Sequence, residues 1–253
     1  MMELDQGSST ASPVASFLLK ENGLQSDIAL QSIRAIIFDL DKTLIDSTID
    51  FQKMKTRVIS FLEQLGVPPG LLNTALLNQD IEARAQAFLR DHGTTPHEIR
   101  MIFTRVTKIM NDIELEAIET VQPYLDAVET LQRLSDQGFK LGIITRGCRE
   151  YAEKALAQAQ LHQFFTAIVA RDEVAHPKPD PEHPQLLLKR LKVNPAETLL
   201  VGDTPTDILC AHNHHMRCVW INRQNSNLPH RMPRPDYEIT CLTDLVSIVT
   251  NKH

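Results

Sequence analysis

The stretch Ile36-Ile37-Phe38-Asp39-Leu40-Asp41-Lys42-Thr43 decides how the rest of the chain is read. With Ile33 and Ala35 it forms a short apolar run without polar alternation, the pattern of a strand buried on both faces. The run stops at Asp39, which places two acids, one residue apart, at the carboxyl end of a core strand. In a doubly wound sheet that end borders the ligand crevice. Taking each residue type at ~5%, D-x-D-x-T arises by chance in ~3% of chains this long, so alone it reads equally well as a solvated turn of acids.

Further runs of the same kind lie at 139–145, 167–170, 198–201 and 218–221, with helical or loop stretches between them. Such alternation predicts an α/β fold with a parallel sheet. Leu125, Val128, Leu131 and Leu134 recur at helical spacing, and Gly138 is placed to end that helix. Roughly 98 residues separate the first two strands, far more than the dozen that a crossover needs. The connection reads as helical throughout. Phe51, Met54, Val58, Phe61, Leu62 and Leu65 fit one helix face, and Ile99, Ile102, Val106, Ile109 and Ile113 fit another. Thr95, Pro96 and Glu98 suit a capping box with a proline start, and a third helix is expected over 71–89, after the break at Pro68, Pro69 and Gly70. The expected organisation is a flexible tail over 1–31, an α/β core over 32–47 and 120–253, and a helical cap over 48–119.

Composition limits the function classes. The chain has 253 residues, 42% hydrophobic and 23% charged, which supports a sizeable core and excludes wholesale disorder. Its 32 acids against 26 bases give a net charge of -6, without the broad basic field of a nucleic-acid binder. Cys148, Cys210, Cys218 and Cys241 form neither a CxxC pair nor a disulfide framework, consistent with a reducing cytosol. The apolar runs fall far short of the ~20 residues that cross a bilayer. The amino terminus lacks a basic region followed by an apolar one, and its first arginine is Arg34, so neither a secretory nor a transit segment is expected. A cytoplasmic protein with no nucleic-acid or membrane partner is the expectation.

Three more strand ends carry polar residues: Thr145 in I-I-T-R-G, Lys178 in H-P-K-P-D-P, and Asp203 with Asp207 in V-G-D-T-P-T-D. The order acid pair, hydroxyl, lysine, acid pair, with a helical insert after the first group, resembles the haloacid dehalogenase-like hydrolase superfamily. The likeness spans about residues 33 to 222 and is greatest to the capped phosphatases of the phosphoglycolate-phosphatase-like type. It implies a Rossmann-like, doubly wound parallel sheet with an inserted helical cap. It also implies an Mg²⁺-dependent phosphatase that hydrolyses a small phosphate monoester, of phosphoglycolate or sugar-phosphate type, through an aspartyl phosphate.

In that resemblance Asp39 is the nucleophile. Asp41 protonates the leaving oxygen and then activates water, Thr145 and Lys178 hold the transferring phosphoryl group, and Asp39, Asp203 and the backbone carbonyl of Asp41 hold the metal, whose shell Asp207 orients. The residue types suit the chemistry without the name. Phosphoryl transfer needs an in-line nucleophile, cations to neutralise the equatorial oxygens and a proton for the leaving group. Carboxylates suit Mg²⁺. The second acid also argues against dehalogenation, because a halide leaves without a proton, whereas Asp41 is present.

Other readings remain beside this one. A phosphomutase would use the same acid pair, and a non-enzymic phosphate-binding protein would keep the pocket without turnover. Arg146 is placed either to reach a substrate anion or to pair with a neighbouring acid. His212, His214 and His215 do not share a helix face and are expected to end the helix after Asp207, with His215 or Asn213 left-handed. Cys148 is expected to be inert, and Lys42 stands where many relatives have glycine. In the insert Arg57, Arg84, Arg100 and Arg105 are candidates for substrate contact.

Overall fold

The computed structural model describes residues 32–250. Strand β1 (Ala35–Phe38) is buried along its whole length. Its side chains alternate between two apolar layers: Ile36 and Phe38 enter one cluster, Ala35 and Ile37 the other. The same division recurs in β4 (Lys140–Ile144) and β6 (Thr198–Gly202). Leu141, Ile143, Leu199 and Val201 join the first layer, while Ile144 and Leu200 join the second. A strand that must bury both faces has no room for polar alternation, which explains the uninterrupted runs.

The remaining strands are β5 (Ala167–Val169), β7 (Arg217–Ile221) and β8 (Tyr237–Ile239). They complete a six-stranded sheet of order β5-β4-β1-β6-β7-β8, parallel at every pairing. Helices α4 (Ala127–Asp136), α5 (Arg149–Gln158) and α8 (Thr243–Thr250) contribute to the first layer, and α6 (Glu182–Leu191) and α7 (Pro205–Asn213) to the second. The chain winds outward from β1 first through β4 and β5, then through β6, β7 and β8, so the topological switch lies at β1 itself.

Two short strands, β2 (Ile45–Asp46) and β3 (Gln122–Pro123), pair antiparallel where the chain leaves the sheet and returns. Beside them the Thr48 and Thr120 hydroxyls meet at 2.6 Å. Between these crossings lie α1 (Phe51–Gln64), α2 (Asn78–Asp91) and α3 (Pro96–Glu116), which enclose an apolar cluster of their own. The capping box of α3 forms as expected: the Thr95 N–H donates to Glu98 Oε2 at 2.8 Å, and the Glu98 N–H to Thr95 Oγ1 at 3.3 Å.

Several expectations change. The helix expected over 71–89 starts seven residues late, because the chain first makes turns in which Leu71 donates to the Pro68 carbonyl and Ala75 to the Asn73 side chain. Of the face expected for α1, Met54, Val58 and Leu62 are buried and Ile59 joins them, whereas Phe51 and Leu65 stay exposed. Leu125 is fully exposed ahead of α4 and Val128 is also exposed, so Ala127, Thr130, Leu131 and Leu134 form the buried face. Gly138 does end this helix, at φ +83°. His215 takes φ +55° after α7, as expected. The expected tail over 1–31 lies outside the described residues. None of the described helices is long and apolar enough to cross a membrane.

Candidate active site

The switch in strand order leaves the ends of three adjacent strands open at one edge. Asp39 follows β1, Thr145 follows β4 and Asp203 follows β6. The registers Phe38 with Ile143 and Phe38 with Val201 set Thr145 and Asp203 level with each other, one residue beyond Asp39. Lys178 comes from the loop after β5, reached through a cis Lys178–Pro179 peptide. Its side chain is buried, and Nζ donates to Asp39 Oδ1, to Asp207 Oδ1 at 2.7 Å and to the Ile144 carbonyl at 3.1 Å.

Asp39, Asp203 and Asp207 each offer a carboxylate oxygen within 4.8 Å of the others. One lysine thus faces three acids. Burial pushes the Asp39 carboxyl well up, and Asp207 and Asp203 add to this against the pull of Lys178. Asp203 is pushed up to about 6, by burial and then by Asp207. Burial opposes the Lys178 charge, but Asp207 and Asp39 outweigh it and hold the ammonium protonated.

Asp207 serves two structures at once. Its Oδ2 accepts from the Thr204 N–H at 3.0 Å and the Thr204 hydroxyl at 2.6 Å, capping α7, while Oδ1 takes Lys178. Gly202 makes this possible: a Cβ there would stand 2.3 Å from Asp207 Cγ. Asp203 is steadied from behind, its carbonyl accepting from Trp220 Nε1 at 2.9 Å, and its Oδ1 lies 3.4 Å from the Thr43 hydroxyl.

Asp41 is held by residues that the sequence reading did not single out. Oδ1 accepts from the Ser47 hydroxyl and from the Tyr151 phenol, each at 2.6 Å. Burial raises the Asp41 pKa, and these two bonds work against the rise. The one advance signal for Tyr151 was a hydroxyl on an otherwise apolar helix face, where Phe would have packed as well. Thr145 is buried, and its Oγ1 accepts from the Gly147 N–H at 3.0 Å. Cys148 caps α5, through a bond from the Tyr151 N–H at 3.4 Å. Burial pushes the Cys148 thiol up to about 11, so it is inert as expected.

Lys42 adopts φ +60°, a left-handed conformation that glycine enters at no steric cost. Its Nζ bonds Asp46 and, at 2.8 Å, the Ser47 carbonyl, closing the loop upon itself. Arg146 lies half-buried between the sheet and the insertion, donating to Gln79 Oε1 at 2.8 Å and to the Lys178 carbonyl at 3.0 Å. Deeper in the same seam, Arg171 pairs with Glu114 at 2.6 Å and donates to Asn111 Oδ1 at 2.7 Å and to the Arg146 carbonyl at 2.6 Å.

Among the described residues, a second group close enough to share a metal is His176, Asp180 and Glu182, at the surface. There the Glu182 carboxylate is already spent on the N–H groups of Ala175 and His176. His212, His214 and His215 do not form such a group. Arg57 pairs with Glu116 at 3.5 Å, and Arg84, Arg100 and Arg105 are exposed.

A parallel sheet whose switch point gathers an acid pair, a buried lysine and two further acids defines a hydrolase built for anionic, oxygen-rich substrates. The model of the family "Haloacid dehalogenase-like hydrolase" matches residues 36–221, and the chain belongs to that family. The chain is 29% identical over 231 residues to the pyrophosphatase PpaX of Bacillus cereus, covering 87% of this chain and 97% of that one. It is 37% identical over 135 residues to the PpaX of Bacillus mycoides, covering 52% of this chain and 62% of the relative. A HAD phosphatase from Thermococcus onnurineus superposes with a TM-score of 0.56 at 27% identity, over 86% of this chain and 98% of the other. The HAD-hydrolase YfnB from Bacillus subtilis, solved bound to magnesium, gives 0.56 at 22% identity, over 86% and 99%.

Proposed function

We propose that the protein is an Mg²⁺-dependent phosphatase that hydrolyses a small phosphate monoester through an aspartyl phosphate, with 48–119 as the cap over a core of 32–47 and 120–253. The observation that carries this is the clustering of Asp39, Asp203 and Asp207, two of which bond one buried lysine. Three carboxylates against one ammonium leave a local charge deficit that a divalent cation would fill, and an all-oxygen donor set suits Mg²⁺. The magnesium bound by YfnB supports the same ion here. Asp39, Asp203 and the Asp41 carbonyl would hold it, where it would neutralise charge on the phosphoryl oxygens.

The chain's own residues supply the rest. An Asp39 oxygen attacks phosphorus in line, and Asp41 gives a proton to the leaving oxygen, then takes one from the water that hydrolyses the intermediate. The raised Asp41 pKa suits an acid that must be protonated in the first step. The Thr145 hydroxyl and the Lys178 ammonium hold the transferring phosphoryl group. Asp207 keeps Lys178 aimed at Asp39 and orients the metal shell. Arg146, whose partners Gln79 and the Lys178 carbonyl are both neutral, is placed to meet an anionic part of the substrate. The cap closes over the site and excludes bulk water.

The partner in this reading is a small phosphorylated metabolite met in the cytoplasm. Phosphoglycolate and sugar phosphates lead the test panel, and the PpaX relatives add pyrophosphate. The test is Mg²⁺-dependent phosphate release across that panel, with Asp39→Asn as control. Release by wild type alone, with acid-labile labelling of Asp39, supports the reading. Equal release by both proteins, isomerised substrate with little free phosphate, or no turnover rejects it.

A further inference from the structure

We infer that Tyr151 is a positioning residue that, together with Ser47, fixes which oxygen of Asp41 delivers the proton to the leaving group. The inference rests on the phosphatase reading above and deepens it by naming the part of the protein that sets leaving-group chemistry. Both hydroxyls donate to the same oxygen, Oδ1, at 2.6 Å, and among the described residues Oδ2 has no hydrogen-bond partner. A carboxylic acid whose Oδ1 accepts two bonds carries its proton on Oδ2. The doubly held oxygen therefore faces the protein, and the proton-bearing one is left for the substrate.

The two donors come from different parts of the molecule. Ser47 lies in the crossing that leads to α1, one residue before the Thr48–Thr120 contact. Tyr151 lies in the first turn of α5 and its ring is fully buried in the core layer. The phenol thus holds Asp41 from the core helix, and the serine holds it from the crossing.

A second observation shows that the local backbone accommodates this ring. A Cβ at Gly147 would come 2.8 Å from Tyr151 Cδ1, so the residue two positions after Thr145 must be glycine for the ring to pass beneath the loop toward Asp41. Burial next to the Asp41 charge pushes the Tyr151 pKa well up, so the hydroxyl stays a proton donor in the bond and takes no part in proton transfer.

The step that Tyr151 supports is balanced as follows. As the Asp39 oxygen–phosphorus bond forms, the phosphorus–oxygen bond to the leaving group breaks, and the Asp41 Oδ2 proton moves to that oxygen. The need for this proton depends on the leaving group. An alkoxide must be protonated as it departs, whereas acetate or p-nitrophenolate leaves as a stable anion.

The test is kcat/KM of Tyr151→Phe for two substrates, since this quantity reports only steps up to phosphoryl transfer. Phe keeps the ring and its packing and removes the hydroxyl alone. The expected result is a loss of about 10- to 100-fold with glycerol phosphate, an alkyl ester, and less than about 3-fold with acetyl phosphate. Ser47→Ala should show the same asymmetry with smaller size. Equal losses on both substrates, or no loss on either, would overturn the inference, the first by showing a purely structural role. Should Tyr151→Phe be too unstable to assay, Ser47→Ala decides by the same comparison. Wild-type enzyme that releases phosphate from neither of these substrates nor from any member of the metabolite panel would reject the phosphatase reading itself and the inference with it, a result distinct from an active enzyme without the asymmetry; where another alkyl ester of the panel is the one turned over, it replaces glycerol phosphate in the comparison.

Discussion

Lys178 and Asp39, 139 residues apart in the chain, are joined by a direct bond from Nζ to Oδ1 in the buried floor of the site, and the same ammonium binds Asp207 at 2.7 Å. Replacing one partner of such a cluster strands the others. Lys178→Met should lower stability by about 3–5 kcal/mol in metal-free urea unfolding, because two buried acids lose their cation. It should also cut kcat by about 10²–10³, the usual cost of losing one charge-stabilising donor. A stable but inactive variant would restrict the lysine to catalysis.

Gly202 offers a way to disturb Asp207 without touching a charged group. The added methyl of Gly202→Ala meets Asp207 Cγ at 2.3 Å and must push it away from Thr204 and Lys178. A loss of about 1–3 kcal/mol is expected from overcrowding, together with weaker turnover, read by urea unfolding and phosphate release. Unchanged stability would mean that the α7 cap tolerates another Asp207 rotamer.

Metal binding can be read without any substrate. Mg²⁺ at ~100 times its Kd should raise wild-type stability by about 2.7 kcal/mol. Asp203→Asn should abolish that increment in a thermal shift titration. An Asn variant stabilised as strongly as wild type would remove Asp203 from the metal site.

His183 fixes the loop that carries Lys178: its Nδ1 accepts from the Lys178 N–H at 2.9 Å, and Nε2 lies 3.2 Å from the Val169 carbonyl. Burial, then the Lys178 charge, lower its pKa from 6.5 to about 4. Between these values the unfolded chain binds a proton that the folded one refuses, so stability rises with pH across the window and falls on acidification. The difference amounts to about 3 kcal/mol. His183→Asn keeps an acceptor for the Lys178 N–H and should flatten the dependence of unfolding free energy between pH 4 and 6.5. An identical slope in both proteins would show that other groups cause it.

Glu114 and Arg171 form a buried pair between α3 and the sheet, and Glu114 Oε2 also accepts the Cys148 N–H at 2.9 Å. Glu114→Ala leaves a buried guanidinium without its carboxylate and should cost about 3–5 kcal/mol in chemical denaturation. Glu114→Leu with Arg171→Met should recover much of that loss, because the stranded charge is then gone. A double variant as weak as the single one would show that packing, not charge, joins these elements.

Much of this is legible in the sequence alone. β1 announced itself because both its faces are covered, and the Thr95–Pro96–Glu98 signal depends only on neighbours in sequence. The acids and the lysine after the strands stand out in the sequence, and Asp39, Asp203, Asp207 and Lys178 meet in space. Non-local features were not legible. The two-residue strands β2 and β3 are too short to show a period, and β8 lies beyond the runs that were read. The delayed start of α2 follows from a turn at Asn73 that competes with helical periodicity. Glu114 and Arg171 are 57 residues apart and look like ordinary surface charges until packing joins them. Tyr151 and Asp41 are 110 residues apart, and nothing local in the sequence joins them.

The chain leaves the sheet at Asp46 and re-enters at Gln122 through a doorway narrow enough for Thr48 to touch Thr120. Both thresholds belong to the same small ribbon, and the Glu114–Arg171 pair and the Arg146–Gln79 bond are further ties between the inserted helices and the core. A change inside the inserted helices therefore reaches the strand ends by two routes, along the chain through the ribbon and sideways through those polar ties.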